Sequence, residues 1–369
     1  MKIGRILTMT ILGFGLLLGS SPWSRQAKAT ETLVYATFFA DVYSGSKNDI
    51  WFMDELTKRS KGELKFEKYW ANSLVAATDL MPSLSGGAAD IVNGAPVAYN
   101  GRDYPLAGVM MPFLTTQLDS ALLAWRDLYR NNKDFRNEFE KQGVKVLYPF
   151  AWAENTIWSR KPVSKISEFK GLKVRAPPPI AKAILLLGGT PVAIAWTEGI
   201  EALQRGVVDA FSSAPFDSAV HGHMQDVAKY GNDLGGSGIF GVNVVAMSLR
   251  RYNSLSPELR KIIDDVSEGM PAKGVKFNDV SIDSAVDKLC AMKSALTTTP
   301  FDKADRERVQ KEVAAKLQED WIKRVNATTK VDAKALLKEF VGYIRKYEPQ
   351  STYVPGFERY EKKCGSKSK

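Results

Sequence analysis

The chain is predicted to be an α/β protein of two domains. Three observations lead there. Its 369 residues exceed what one hydrophobic core usually serves. β-rich and helical runs alternate from residue 33 to residue 93, and a second alternation of the same kind fills residues 172–211. Hydrophobic residues at 44% and charged residues at 25% are ordinary for a folded, soluble chain.

The elements follow in order. Residues 33–38 read as a strand, 49–58 as a helix stopped by Lys61-Gly62, and 64–70 as a second strand. Residues 79–84 read as a helix ended by Gly86-Gly87, and 89–93 as a short strand. Residues 119–142 read as one helix, capped by Asp119 and followed by Gly143. Residues 144–152 have a buried-strand pattern, and 172–175 form a strand that the triplet Pro177-Pro178-Pro179 breaks off. A helix over 180–187, a helix over 198–204 and a strand over 207–211 complete the second unit, with Trp196 on a loop. Residues 242–248 read as a strand. Residues 257–293 are helical in composition, with a bend expected near Gly269, Pro271 and Gly274. In 302–325, Val309, Val313, Leu317 and Trp321 recur every four residues and mark a core-facing stripe. Residues 333–347 form the last predicted helix, and the tail from Gly365 is expected to be loose.

Lys2 and Arg5, an apolar run over 6–18 and the closing Ala27-Lys28-Ala29 read as a secretory signal peptide over residues 1–29. The run is shorter than the roughly 20 residues a membrane span needs. Loss of its four basic residues lowers the formal net charge from +10 to +6. That excess is spread thinly, so nucleic-acid binding is not expected. Two cysteines and two histidines exclude a zinc ribbon or an iron–sulfur protein, and no cofactor or metal is expected. Cys290 and Cys364 are read equally as a disulfide and as two thiols. A bridge would pin the tail to the helix carrying Cys290 and contribute about 4 kcal/mol in the chain-entropy model.

Most candidate chemistry fails on context. Gly236, Gly238 and Gly241 match G-x-G-x-x-G, but a β-rich run follows where a dinucleotide fingerprint needs a helix. His221 and His223 lack further ligands at metal spacing. The pairs Asp54-Glu55 and Asp264-Asp265 point apart on helices. Arg175 differs. It stands at the C-terminal end of a predicted parallel strand, where open α/β sheets place ligands, and a guanidinium there offers two parallel donors to a carboxylate. From pattern alone it is equally a structural ion-pair partner.

The stretch around it reads Gly171-Leu172-Lys173-Val174-Arg175, then Gly189-Thr190-Pro191-Val192, Glu198, Ala202-Leu203-Gln204 and Gly206-Val207-Val208-Asp209. It resembles the signature region of the DctP-type solute receptors of TRAP (tripartite ATP-independent periplasmic) transporters. Weaker likenesses at Lys61-Gly62, 84–91, 111–114 and 247–262 extend the resemblance over most of residues 33–325.

The resemblance implies a two-domain, periplasmic-binding-protein-like α/β fold, with a ligand cleft between the lobes and a long helix spanning both. The expected division is 30–152 plus about 241–280 for one lobe, 153–240 plus about 281–330 for the other, and a C-terminal helix and tail (331–369) packing on both. It implies a periplasmic receptor, not an enzyme and not itself membrane-embedded, that hands a small organic acid to the membrane permease subunits of a TRAP transporter. Arg175 matches the family's carboxylate-clamping arginine, Trp196 an aromatic pocket position, and Ser213 a position often held by Asn. Asn155 lies near a second arginine of sialic-acid-type receptors, and only Arg160 stands nearby. The expected ligand is therefore a monocarboxylate with an apolar or aromatic body, walled by Phe38, Trp152, Trp196, Phe211 and Phe216. A secreted α/β hydrolase, or a ligand-sensing partner of a sensor kinase, is the alternative.

Overall fold

The computed structural model describes residues 30–292 and 296–364. The signal peptide over 1–29 and the tail from Gly365 lie outside the described residues. Eleven strands run along the described chain: β1 (Glu31–Thr37), β2 (Leu64–Tyr69), β3 (Ile91–Gly94), β4 (Val144–Phe150), β5 (Asn155–Ser159), β6 (Lys173–Arg175), β7 (Thr190–Val192), β8 (Ala210–Pro215), β9 (Tyr230–Asn232), β10 (Asn243–Ser248) and β11 (Thr297–Thr298). They form two sheets, ordered β2-β1-β3-β10-β4 and β11-β9-β5-β8-β6-β7. The first sheet is parallel at one side and antiparallel at the other, whereas the second is parallel at both edges, β11 running parallel to β9, around an antiparallel β5. β1 runs parallel to β2 and β3, and β6 parallel to β7 and β8. β10 runs antiparallel to β3 and β4, and β5 antiparallel to β8 and β9. The chain thus crosses between two lobes over residues 151–154, over 233–242, and again through a helix.

That helix, Pro257–Ala291, is 35 residues long, about 52 Å at 1.5 Å per residue. Ser256 caps it by accepting from the Leu259 N–H, and Pro257 takes the first helical position, where a missing N–H costs nothing. Its first half buries Leu259, Ile263, Val266 and Met270 in a core shared with Leu33, Tyr35, Phe52 and Met247 of the first lobe. Its second half buries Ile282, Ala285, Val286 and Leu289 in the other core. Each of the Leu, Ile, Val and Met side chains is worth about 1.5–3 kcal/mol. The helix packs on Ser44–Arg59 and β4 in one lobe, and on Phe216–His221 and Gly356–Cys364 in the other. The helical run continues through Pro271, which withholds the N–H that the Ser267 carbonyl would otherwise accept.

Several expectations need correction. Residues 119–142 are two helices, Leu118–Asn131 and Lys133–Lys141. Asn132 takes an extended conformation between them, and its side chain accepts from Phe135 N at 2.9 Å, so it starts the second helix. Asp119 does not cap the first helix; its carboxylate accepts from Ser351 and from Ser120 N inside the first turn. The proline triplet does more than break the chain, since Pro178 and Pro179 open the helix Pro178–Leu186. Residues 302–325 contain a π-helical turn, Val309–Val313, between Lys303–Arg308 and Ala314–Thr328. The stripe Val309, Val313, Leu317 and Trp321 is buried across that irregularity.

The helix Ala333–Tyr347, capped by Asp332, packs on Leu118–Asn131. A final helix, Gly356–Cys364, was not read from the sequence. Cys290 and Cys364 are disulfide-bonded, with Cα atoms 5.7 Å apart, so this helix is tied to the long one. A second tie lies at the first crossing. Buried Glu154 accepts from Tyr353 Oη at 2.6 Å and from the Gly356 and Phe357 N–H groups.

Candidate functional site

β6 is a three-residue strand between β7 and β8, and it ends at Arg175 because Pro177 to Pro179 can donate nothing to a sheet ladder. Arg175 is 4% exposed. Nε donates to Ile194 O at 2.9 Å and Nη1 to Ser212 O at 3.3 Å, while Ser212 Oγ donates back to Arg175 O at 2.7 Å. The Phe211 ring lies 4.6 Å below the cation and the Trp196 ring 6.0 Å away. Phe211 and Trp196 meet edge-on, centroids 5.3 Å apart. Gly199 permits this stack, since a Cβ there would stand 2.2 Å from Phe211 Cε2.

No carboxylate among the described residues pairs with Arg175, which removes the ion-pair alternative. Burial lowers its pKa to about 10, and the nearby Tyr99 raises it in part. The group is therefore a full cation near neutral pH. It is stripped of most water and leaves Nη2 with no hydrogen bond to a described residue. An unpaired buried charge is costly and is relieved by an incoming anion.

The cavity it faces has about 100 Å³, below the roughly 300–1,000 Å³ of drug-sized pockets. Both lobes and both crossings line it. Arg175, Trp196, Ser213, Asn155, Trp152 and Phe38 are brought together around it. Phe216 is not. It is fully buried and packs on Phe357 with centroids 5.1 Å apart, because Gly356 leaves the space its ring occupies. Phe211 supports the site from beneath Arg175 and does not line it. Trp196 stands at the first position of the helix Trp196–Gln204 rather than on a loop.

Ser213 reaches the cavity through a bulge. Between the pairs Thr156–Ala214 and Trp158–Phe211, β8 carries one residue more than β5, and Ser213 takes a left-handed φ of 53°. Its Oγ donates to Asn155 Oδ1 at 3.2 Å, and Asn155 Nδ2 donates to Gly238 O at 3.3 Å. Asn155 therefore adds no second cation. Arg160 instead lies beside Asp209, 3.8 Å away, and does not line the cavity.

Sequence reasoning missed Phe39, Tyr43, Tyr99, Ser218 and Asn243, which also line it. Phe39 packs on Trp152 at 4.4 Å and on Phe38 at 3.7 Å. Asn243 had a usable signal, a polar residue opening an otherwise apolar strand. Its Nδ2 donates to Asn93 Oδ1 at 3.1 Å, and Asn93 Nδ2 donates to Asp49 Oδ2 at 2.7 Å. Asp49 is 1% exposed and also accepts from Tyr35 Oη at 2.5 Å and Tyr148 Oη at 2.9 Å. Burial raises its pKa to about 6 against the pull of these donors. Neither histidine lines the cavity.

Two lobes, a cleft between them and one uncompensated cation in an aromatic enclosure define a solute-binding receptor. The family model of the bacterial extracellular solute-binding proteins, family 7 (DctP), matches residues 48–324, and the chain belongs to that family. It is 27% identical to a TRAP periplasmic solute-binding protein from Desulfovibrio salexigens, with a TM-score of 0.73 over 88% of this chain and 99% of that one. A TRAP solute-binding protein from Rhodoferax ferrireducens in complex with copurified benzoate superposes with a TM-score of 0.75, at 23% identity over 87% of this chain and 99% of that one. The ectoine-binding periplasmic protein TeaA of Halomonas elongata is 22% identical over 95% of this chain and 99% of its own. No helix among the described residues is long and apolar enough to cross a membrane.

Proposed function

We propose that this receptor captures a small organic monocarboxylate with a flat apolar or aromatic body. Filled, it delivers the acid from the periplasm to a TRAP-type permease. The observation that carries this reading is the 4%-exposed Arg175, free of any carboxylate partner among the described residues and facing a cavity walled by Phe38, Phe39, Trp152 and Trp196. The ligand carboxylate accepts from Nη2 and the remaining Nη1 hydrogen, each charge-assisted bond worth roughly 1.5–3 kcal/mol net. Its body buries apolar area at about 25 cal/mol per Å². Contacts from both lobes favour the closed arrangement over the open one. The bound benzoate of the Rhodoferax protein supports a compact aromatic acid as the ligand class.

A thermal-shift screen of mono- and dicarboxylates checks the proposal. Monocarboxylates are expected to raise the unfolding temperature, and Arg175→Ala to abolish that rise while the unliganded variant unfolds within a few degrees of wild type. Much tighter binding of dicarboxylates, or unchanged affinity in Arg175→Ala, would reject it.

A further inference from the structure

Behind the first-lobe wall of the cavity, three buried side chains form a relay whose orientation is set from one end. Ionised Asp49 can only accept. The phenols of Tyr35 and Tyr148 point at it as donors, and burial beside the carboxylate holds both well above their usual pKa, so they keep their protons. Asn93, 0% exposed, must therefore turn its NH2 to Asp49 and its Oδ1 the other way. Asn243 answers that oxygen with its own NH2. This leaves the Asn243 Oδ1 as an acceptor with no hydrogen bond to a described residue, on a side chain that lines the cavity.

The opposite lobe supplies Arg175, which only donates. Asn155 Oδ1, by contrast, already receives the Ser213 hydroxyl.

We infer that Asn243 is a specificity-determining residue and that the preferred ligand is an organic acid carrying a hydrogen-bond donor, a hydroxyl or an N–H, on the part of its body remote from the carboxylate. This rests on the carboxylate reading of Arg175 and adds the second half of the ligand. Such a molecule spans the cleft, with its carboxylate on β6 and its donor on β10, so recognition and lobe closure are one event. An acid without the donor leaves Asn243 Oδ1 desolvated and unpaired in the closed state, the asymmetry by which polar sites reject analogues that lack a group.

Calorimetric titration of the purified protein with benzoate, 3-hydroxybenzoate, 4-hydroxybenzoate and 3-methoxybenzoate tests the inference. At least one hydroxy acid is expected to bind about tenfold more tightly than benzoate, and the methoxy acid, which accepts but cannot donate, to show no gain. In Asn243→Leu the hydroxy-to-parent ratio is expected to fall to about one. Asn243→Ala serves as a smaller second variant, and the wild-type series needs no variant at all. A ratio unchanged in both variants, or benzoate binding most tightly to wild type, overturns the role of Asn243. Failure of the underlying reading looks different. Arg175→Ala would then leave every acid unaffected, or no acid would bind, which overturns both.

Discussion

Two charges are buried almost equally deeply on either side of the cleft, Asp49 at 1% exposure and Arg175 at 4%, and their surroundings are opposite. Asp49 accepts from two phenols and an amide within 2.9 Å, with the Asn48 amide 3.5 Å away. It is saturated by its own lobe. Arg175 gives two N–H groups to backbone carbonyls, rests on an aromatic face and meets no carboxylate among the described residues. A buried charge whose valences are filled holds a structure together. One whose valences are left open is, on the proposed reading, the place a ligand takes.

The largest test of this contrast is Asp49→Ala. It strands four buried donors at once and is expected to cost about 3–5 kcal/mol of stability, read by chemical denaturation. A loss no greater than that of Arg175→Ala without ligand would erase the distinction.

Next comes pH. Burial raises Asp49 to about 6, Glu154 to about 7 and Glu138 to about 8. The folded chain therefore binds these protons more tightly than the unfolded one. Their contribution is complete below about pH 4 and is lost as pH rises through 6 to 8. Unliganded protein should unfold at a lower temperature at pH 8 than at pH 5, and Glu154→Gln should flatten the slope. A stability that climbs with pH over this window would contradict the assignment.

The smallest expected effect is that of Arg175→Lys. It keeps the charge and loses the fork, so affinity should fall about tenfold by calorimetry, well short of the loss in Arg175→Ala. Full retention would mean that charge alone, and not paired N–H geometry, selects the ligand.

Local chemistry made much of this readable in advance. The helical run over 333–347 occurs as the helix Ala333–Tyr347. A short strand ending in an arginine before three prolines marks β6 and the place of Arg175. Where two local signals compete, reading faltered. Asn132 within a helical run is both a tolerable interior residue and a good cap, and the contact of Asn132 Nδ2 with Glu339 Oε2, 207 residues away, accompanies the second choice. Phe216 was as plausible a cavity wall as Phe38. Gly356, 140 residues later in the chain, makes the space that draws its ring into the core.

The strand and helix runs, the cation at a strand tip and the stripe through Trp321 follow from neighbours a few residues apart, because backbone sterics, capping and periodicity act at that range. Whether Arg175 has a counter-ion, which aromatics face the cleft, whether Cys290 meets Cys364 and which end of Asn243 looks inward depend on residues brought together from far along the chain. Those are properties of burial and of filled or unfilled hydrogen-bonding valences, and they come into being only when the two lobes are packed.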